Sequence, residues 1–214
     1  YFYNVKPSEY YGVKVQYHSW TYFYLSTASY DGQLTETLNQ TYSPPDGTVA
    51  GQVNDYCGGT VWRPQVDLYQ GSTHIGNEST NSGDFSFTVP AGSYSLQAER
   101  SSYTSTSASV SVNPDVTTTK NFTLRRYDRE IKVSVTNTET GNAAQGVAVT
   151  VSGGGISKTL DTGWGSAAGT RVFDDLLPGY SYTVSVNNGT TGVVSLNCST
   201  TRKDINLTYT PPDS

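Results

Sequence analysis

Apolar and polar positions alternate along most of this chain with a period of two. Val49, Gly51 and Val53 fall on one side of an extended segment, as do Val66 and Leu68. Phe85, Phe87 and Val89 face one way while Asp84, Ser86 and Thr88 face the other; Tyr94, Leu96 and Ala98 follow, then Val110 with Val112, then Phe122 with Leu124. Successive side chains on a pleated strand point to opposite faces, so this pattern predicts half-buried strands. The runs are separated by Asn54-Asp55, Cys57-Gly58-Gly59, Asn81-Ser82-Gly83-Asp84, Pro90-Ala91-Gly92 and Asn113-Pro114-Asp115, which favour turns over strands. No stretch of about ten residues carries the 3.6-residue apolar period of a helix. Short strands punctuated at roughly 8–12-residue spacing predict a sandwich of two packed sheets.

The plan is then repeated. Ile131, Val133 and Val135 alternate, as do Val147, Val149 and Val151, then Tyr180, Tyr182, Val184 and Val186, then Ile205, Leu207 and Tyr209. Thr118-Thr119-Lys120-Asn121-Phe122-Thr123-Leu124 matches Thr201-Arg202-Lys203-Asp204-Ile205-Asn206-Leu207, and Pro90-Ala91-Gly92-Ser93-Tyr94 matches Pro178-Gly179-Tyr180-Ser181-Tyr182. A period of roughly 85 residues predicts two similar domains, placed at residues 48–126 and 127–214. Residues 1–47 form a separate part, an extended N-terminal tail followed by first strands. In it Val13, Val15 and Tyr17 share one face, and Trp20, Tyr22 and Tyr24 share another, before Ser43-Pro44-Pro45-Asp46-Gly47 ends any strand. The predicted fold class is all-β: tandem immunoglobulin-like β-sandwich domains with an extended N-terminal strand.

Composition narrows the setting. Of 214 residues, 35% are apolar and only 14% charged, with 17 Tyr and a formal net charge of −5. Soluble domains usually carry about 25% charged residues; here Ser, Thr, Asn, Gln and Gly fill the gap. Disordered chains are charged and poor in aromatics, so disorder does not fit. An acidic chain without clustered Lys and Arg does not bind nucleic acid, and the nearest approach to a basic cluster is Arg125, Arg126 and Arg129. No segment is long and apolar enough to span a bilayer. The chain holds no Met; export with removal of a leader is the expectation. In an oxidising compartment Cys57 and Cys198 pair, whereas in a reducing one they are free thiols. Neither has a second Cys at metal-binding spacing, and whether a bond would join two parts of one chain or two chains is left open.

The candidate chemistry is sparse. His18 and His74 stand without a nucleophile or carboxylate at catalytic spacing, and no GxSxG, HExxH, phosphate-binding loop or EF-hand pattern occurs. The expectation is no catalytic residue, no metal site and no cofactor, so not an enzyme. Asp84, Asp174 and Asp175 read as turn formers, and Gly153-Gly154-Gly155 as a hairpin turn or bulge. Trp20, Trp62 and Trp164 could form a sugar-binding platform, but core or interface positions are the commoner use of Trp. N-glycosylation sequons occur at Asn39, Asn77, Asn121, Asn188, Asn197 and Asn206. Asn121 and Asn206 alternate with buried-type neighbours and so are expected to point to solvent.

Gly51-Gln52-Val53, Val66-Asp67-Leu68-Tyr69, Thr80-Asn81-Ser82-Gly83-Asp84-Phe85 and Val89-Pro90-Ala91-Gly92-Ser93-Tyr94 resemble the carboxypeptidase-regulatory-like, transthyretin-type group of immunoglobulin-like domains. That resemblance covers about 75 residues and implies a fold rather than a function. The third part matches less well, with Thr162-Gly163-Trp164-Gly165 in place of the Asn-Ser-Gly turn. The whole layout is similar to the subunit of the archaeal thread filament: an exported chain with an apolar extended tail before two glycosylated immunoglobulin-like domains. The resemblance implies a glycosylated extracellular filament in which identical subunits join head-to-tail, the tail of one completing a sheet of the next. Exposed strand edges accept such a strand by backbone hydrogen bonding, and a contact that does not close builds a fibre. Tyr1, Phe2, Tyr3 and Val5, and then Tyr11, Val13 and Val15, are the expected donor positions, with residues 20–25 remaining at home. The alternative is a monomeric surface adhesin or carbohydrate-binding accessory module.

Overall fold

The computed structural model describes residues 10–17, 19–26 and 45–212. It divides into two compact units, Tyr1–Ser43 and Pro44–Ser214. In the first, β1 (Tyr10–Tyr17) and β2 (Ser19–Ser26) pair antiparallel, from Tyr10 opposite Ser26 to Tyr17 opposite Ser19. Tyr11, Val13 and Val15 therefore lie opposite Leu25, Phe23 and Thr21 of the same chain. Tyr1, Phe2, Tyr3, Val5, His18 and Asn39 lie outside the described residues.

Among the described residues of the second unit the regular elements are strands, apart from one 3₁₀ turn, Gly165–Ala167. Its first half holds β3 (Asp46–Asp55), β4 (Gln65–Gln70), β5 (Thr73–Glu78), β6 (Asp84–Pro90), β7 (Gly92–Glu99), β8 (Thr106–Val112), β9 (Thr117–Thr119) and β10 (Phe122–Leu124). One sheet runs β10-β3-β6, with β9 also on β3, and the other runs β5-β4-β7-β8. The second half holds β11 (Arg129–Asn137), β12 (Ala148–Gly153), β13 (Ile156–Asp161), β14 (Thr170–Leu176), β15 (Tyr180–Val186), β16 (Thr191–Leu196) and β17 (Arg202–Tyr209). Its sheets run β14-β11-β17 and β13-β12-β15-β16. The two halves share one strand order, and in each the first strand pairs parallel with the last: β3 with β9 and β10, β11 with β17. The described residues of the second unit are thus two immunoglobulin-like sandwiches of the same topology in tandem.

Each sandwich encloses its own apolar core. The first buries Val49, Val53, Leu68, Phe85, Phe87, Leu96, Phe122 and Leu124; the second buries Ile131, Val133, Val149, Phe173, Tyr182, Val184 and Leu196. β6 shows the cause most plainly, with Phe85, Phe87 and Val89 buried and Asp84, Ser86 and Thr88 exposed. The repeated Pro-to-Tyr segment has a structural reason. The Tyr94 hydroxyl donates to the Pro90 carbonyl at 2.8 Å. The Tyr182 hydroxyl accepts from the Leu177 N–H at 2.9 Å and donates to the Leu177 carbonyl at 3.2 Å. Both rings bury their apolar body while the hydroxyl ties down the preceding turn, so each buried polar atom is satisfied.

Two departures from the alternation have physical causes. Asp67, on the opposite face of its strand from Val66 and Leu68, is only 6% exposed. Gln65 Nε2 donates to both its carboxylate oxygens, at 3.2 and 2.9 Å, and His74 Nε2 lies 3.1 Å from one of them. His74 sits within strand β5. The last strand of the first sandwich breaks into β9 and β10 opposite Gly51. A Cβ there would lie 1.7 Å from the Lys120 carbonyl oxygen, so only glycine lets the two backbones meet so closely. At the break the Gln52 N–H donates to the Asn121 side-chain carbonyl at 3.0 Å, so a side chain supplies a ladder bond. Gly153 ends β12 and Gly154-Gly155 turn the chain into β13, the hairpin reading of that run.

Candidate functional site

The sandwiches meet at a junction built around a disulfide, a buried arginine and an aromatic stack. Cys57, just after β3, is disulfide-bonded to Cys198, between β16 and β17, with Cα atoms 5.1 Å apart. Arg129, the first residue of β11, is 5% exposed beneath this bond. Its Nε donates to the Asn197 carbonyl at 3.0 Å, its Nη1 to Asp128 at 2.6 Å and its Nη2 to Cys57 Sγ at 3.4 Å. A buried guanidinium is tolerated only with such a set of acceptors around it. Beside it, the Arg125 guanidinium carbon lies 4.1 Å from the centre of the Tyr56 ring and 5.0 Å from that of Tyr180, within cation–π range of both. The Tyr56 phenol packs over Gly179, where a Cβ would meet its oxygen at 2.5 Å and the backbone is left-handed (φ 82°). Residues from both sandwiches therefore grip one another through a covalent bond, a shared arginine and a tyrosine–arginine–tyrosine stack. Domains joined by a short linker move by default; this arrangement opposes that motion.

The Arg125–Arg129 run falls at the domain boundary expected from the sequence, and a bridge between the domains was one of the pairings open to the two cysteines; the contacts they make were not legible. Tyr56 and Tyr180 were missed as junction residues, because their partners lie far away along the chain. The one available signal was the concentration of three arginines in a chain of low charge.

The sequons at Asn77, Asn121, Asn188, Asn197 and Asn206 all stand at exposed positions. Asn121 and Asn197 use their side-chain oxygen within the protein, Asn121 for Gln52 and Asn197 for the Ser199 N–H at 3.1 Å. A glycan attaches through the amide nitrogen, so those bonds and a sugar are compatible. Trp62 and Trp164 are 58% and 70% exposed. That corrects the expectation of a core position for these two; the Trp20 side chain lies outside the described residues. Among the described residues no group of three His, Cys, Asp or Glu is placed to hold a metal ion, and no helix is long and apolar enough to cross a membrane.

The free sheet edges differ in chemistry. β5 carries Glu78 and a register shift opposite Leu68, β13 carries Lys158 and Asp161, β6 carries Asp84 and Pro90, β14 carries Arg171, Asp174 and Asp175, and β17 carries Arg202, Lys203 and Asp204. Charge, proline and irregularity are the usual devices that stop an edge from recruiting another strand. β9 and β10 are only three residues each. The uncharged β8 is partly capped, since the Thr118 hydroxyl donates to the Ser111 carbonyl at 3.2 Å. β16, Thr-Gly-Val-Val-Ser-Leu, has neither charge nor proline, pairs as a strand among the described residues only with β15, and exposes Val193 at 67%; only its start is held to β17, where the Thr190 N–H donates to the Thr208 carbonyl at 2.9 Å.

Residues 48–125 match the carboxypeptidase regulatory-like domain family. That match covers the first sandwich and agrees with the resemblance read from its turns. No curated protein matches the chain. Solved structures similar to it include the Streptococcal ancillary pilin, at 13% identity over 97% of this chain and 77% of that one, with a TM-score of 0.46. GBS52, the minor pilin of Streptococcus agalactiae, is 13% identical over 78% of this chain and 98% of its own, with a TM-score of 0.42. The Bacillus anthracis TIE protein is 14% identical over 77% of this chain, with a TM-score of 0.40, and this chain covers 34% of its length. Likenesses of this degree do not assign a function, which rests on the geometry above.

Proposed function

We propose that this chain is a structural subunit of an extracellular, cell-surface filament, without catalytic activity. Identical subunits join head-to-tail, N-glycans cover the sequon positions, and residues 1–15 of one copy supply the donor strand to the next. The observation that carries this reading is the contrast among the sheet edges. Five are blunted by charge, proline or irregularity and others are short or capped, whereas β16 is left uncharged with Val193 exposed. A strand edge of this kind binds an extended segment through backbone hydrogen bonds. The tail Tyr1-Phe2-Tyr3-Asn4-Val5 and the strand Tyr10–Val15 have the aromatic and β-branched content that suits such pairing. The clamped junction supports the same role, because a filament transmits force only through joints that do not open.

Electron microscopy of the full chain beside the chain lacking residues 1–15 tests this. Filaments from the first and monomers alone from the second are the expected pair. Monomers in both would rule out polymerisation and favour the reading as a monomeric adhesin.

A further inference from the structure

Trp62 and Arg63 project from the connection between β3 and β4. The connection is anchored on both sides: Val61 is 1% exposed and Pro64 is buried. The Val61 N–H donates to the Val53 carbonyl at 2.9 Å and the Arg63 N–H to the Thr80 carbonyl at 3.1 Å. Arg100, at the end of β7, donates from Nη1 to the Arg63 carbonyl at 3.0 Å. Between these anchors Arg63 adopts a left-handed backbone (φ 50°), a conformation that costs a non-glycine residue energy and is retained where the surroundings enforce it. The result is an indole 58% exposed with the Arg63 and Arg100 guanidinium carbons each 5.5 Å from its ring centre. Neither arginine has an ion-pair partner among the described residues, although the chain as a whole is acidic.

We infer that Trp62, Arg63 and Arg100 form a binding site for a carboxylated saccharide, such as a uronic-acid unit of a polysaccharide. The apolar face of a sugar ring packs against an exposed indole whose backbone is anchored in advance, which limits the ordering entropy lost on binding. A carboxylate on that ring meets guanidinium groups, whose planar N–H donors match it in bidentate geometry. Each guanidinium carries five N–H donors, so the single bond from Arg100 to the Arg63 carbonyl leaves donors for the ligand. A neutral sugar would gain the stacking alone. This site stands on different residues from the polymerising edge and holds for monomer and filament alike.

The test is calorimetric titration of the full chain with tetra-galacturonate, with maltotetraose and an acetylated tetra-glutamate peptide as comparisons. The expected result is saturable binding of tetra-galacturonate that weakens with added salt, and at least tenfold weaker binding of the other two. Arg63→Gln and Arg100→Gln should each weaken binding about tenfold, and Trp62→Ala should abolish it. Trp62→Phe retains a ring and should bind at an intermediate strength, and unchanged unfolding midpoints show that the variants are folded. Absence of binding to the parent chain, unaltered binding by Trp62→Ala, or equal binding of maltotetraose or of the peptide would each overturn the assignment.

Discussion

Replacing Cys57 and Cys198 together by Ser is the most informative perturbation of the junction. The bond spans 141 residues, and the chain-entropy relation gives about 5 kcal/mol for closing a loop of that length at 25 °C. If the second sandwich unfolds while the first remains folded, the free loop is roughly half as long. The logarithmic dependence then lowers the figure by less than about 1 kcal/mol. Native disulfides deliver about 2–5 kcal/mol in practice, so a loss of about 3–5 kcal/mol is expected. Serine keeps an acceptor for Arg129 Nη2, which lies 3.4 Å from Cys57 Sγ, so the effect isolates the covalent link. For sandwiches of this size the melting temperature should fall by more than about 10 °C. The single transition should also separate into two as the sandwiches lose their coupling. Scanning calorimetry of the parent and the double variant reads both quantities. A midpoint within about 2 °C of the parent, with one undivided transition, would refute the view that this bond holds the sandwiches as one body.

Tyr182→Phe removes the hydroxyl that accepts the Leu177 N–H and leaves that donor buried; a loss of about 1–3 kcal/mol by urea unfolding is expected, and no loss would contradict the pairing. Burial raises the Tyr182 hydroxyl pKa above its ordinary value, outweighing the lowering from its backbone bond to Leu177. The folded chain then holds its proton more tightly than the unfolded one, so stability is level below about pH 10 and declines above it. Burial also raises the Tyr94 and Tyr103 hydroxyls, so Tyr182→Phe should lessen that decline, and an identical alkaline slope in both proteins would exclude Tyr182 as a contributor. At Asn121, replacement by Asp removes the sequon but keeps the oxygen that accepts the Gln52 N–H, whereas replacement by Ala removes both. In unglycosylated protein Asn121→Ala should be less stable than Asn121→Asp by about 1 kcal/mol; equal stabilities would show that the bond across the β9–β10 break contributes nothing.

The strand pattern was legible because it depends on local alternation, as at Phe85, Phe87 and Val89, and because turns such as Asn81-Ser82-Gly83-Asp84 use residues suited to them. The repeated Pro-to-Tyr segment was legible as a repeat, but its purpose was not, since the hydroxyl contacts of Tyr94 and Tyr182 require the folded turn. Asp67 shows the limit of a two-residue period: its burial depends on Gln65 and on His74 from the neighbouring strand. The junction was illegible for a stronger reason. Arg129 lies 72 residues from Cys57 and 68 from Asn197, and no local propensity reports a contact of that range. Trp62 and Trp164 were weighed by the usual behaviour of their residue type, which favours burial, whereas the anchors that hold Trp62 outward come from β3, from Thr80 and from Arg100.

The most direct test of the filament account is a cross-link between copies. Val13→Cys in one preparation and Val193→Cys in an isotopically labelled second one are mixed under conditions of assembly and oxidised, and the linked peptides are read by mass spectrometry. A peptide from β1 of one copy joined to a peptide from β16 of the other, in a covalent dimer of one labelled and one unlabelled copy, is the predicted result. Monomers with no link between labelled and unlabelled copies, under conditions in which filaments are visible, would contradict it.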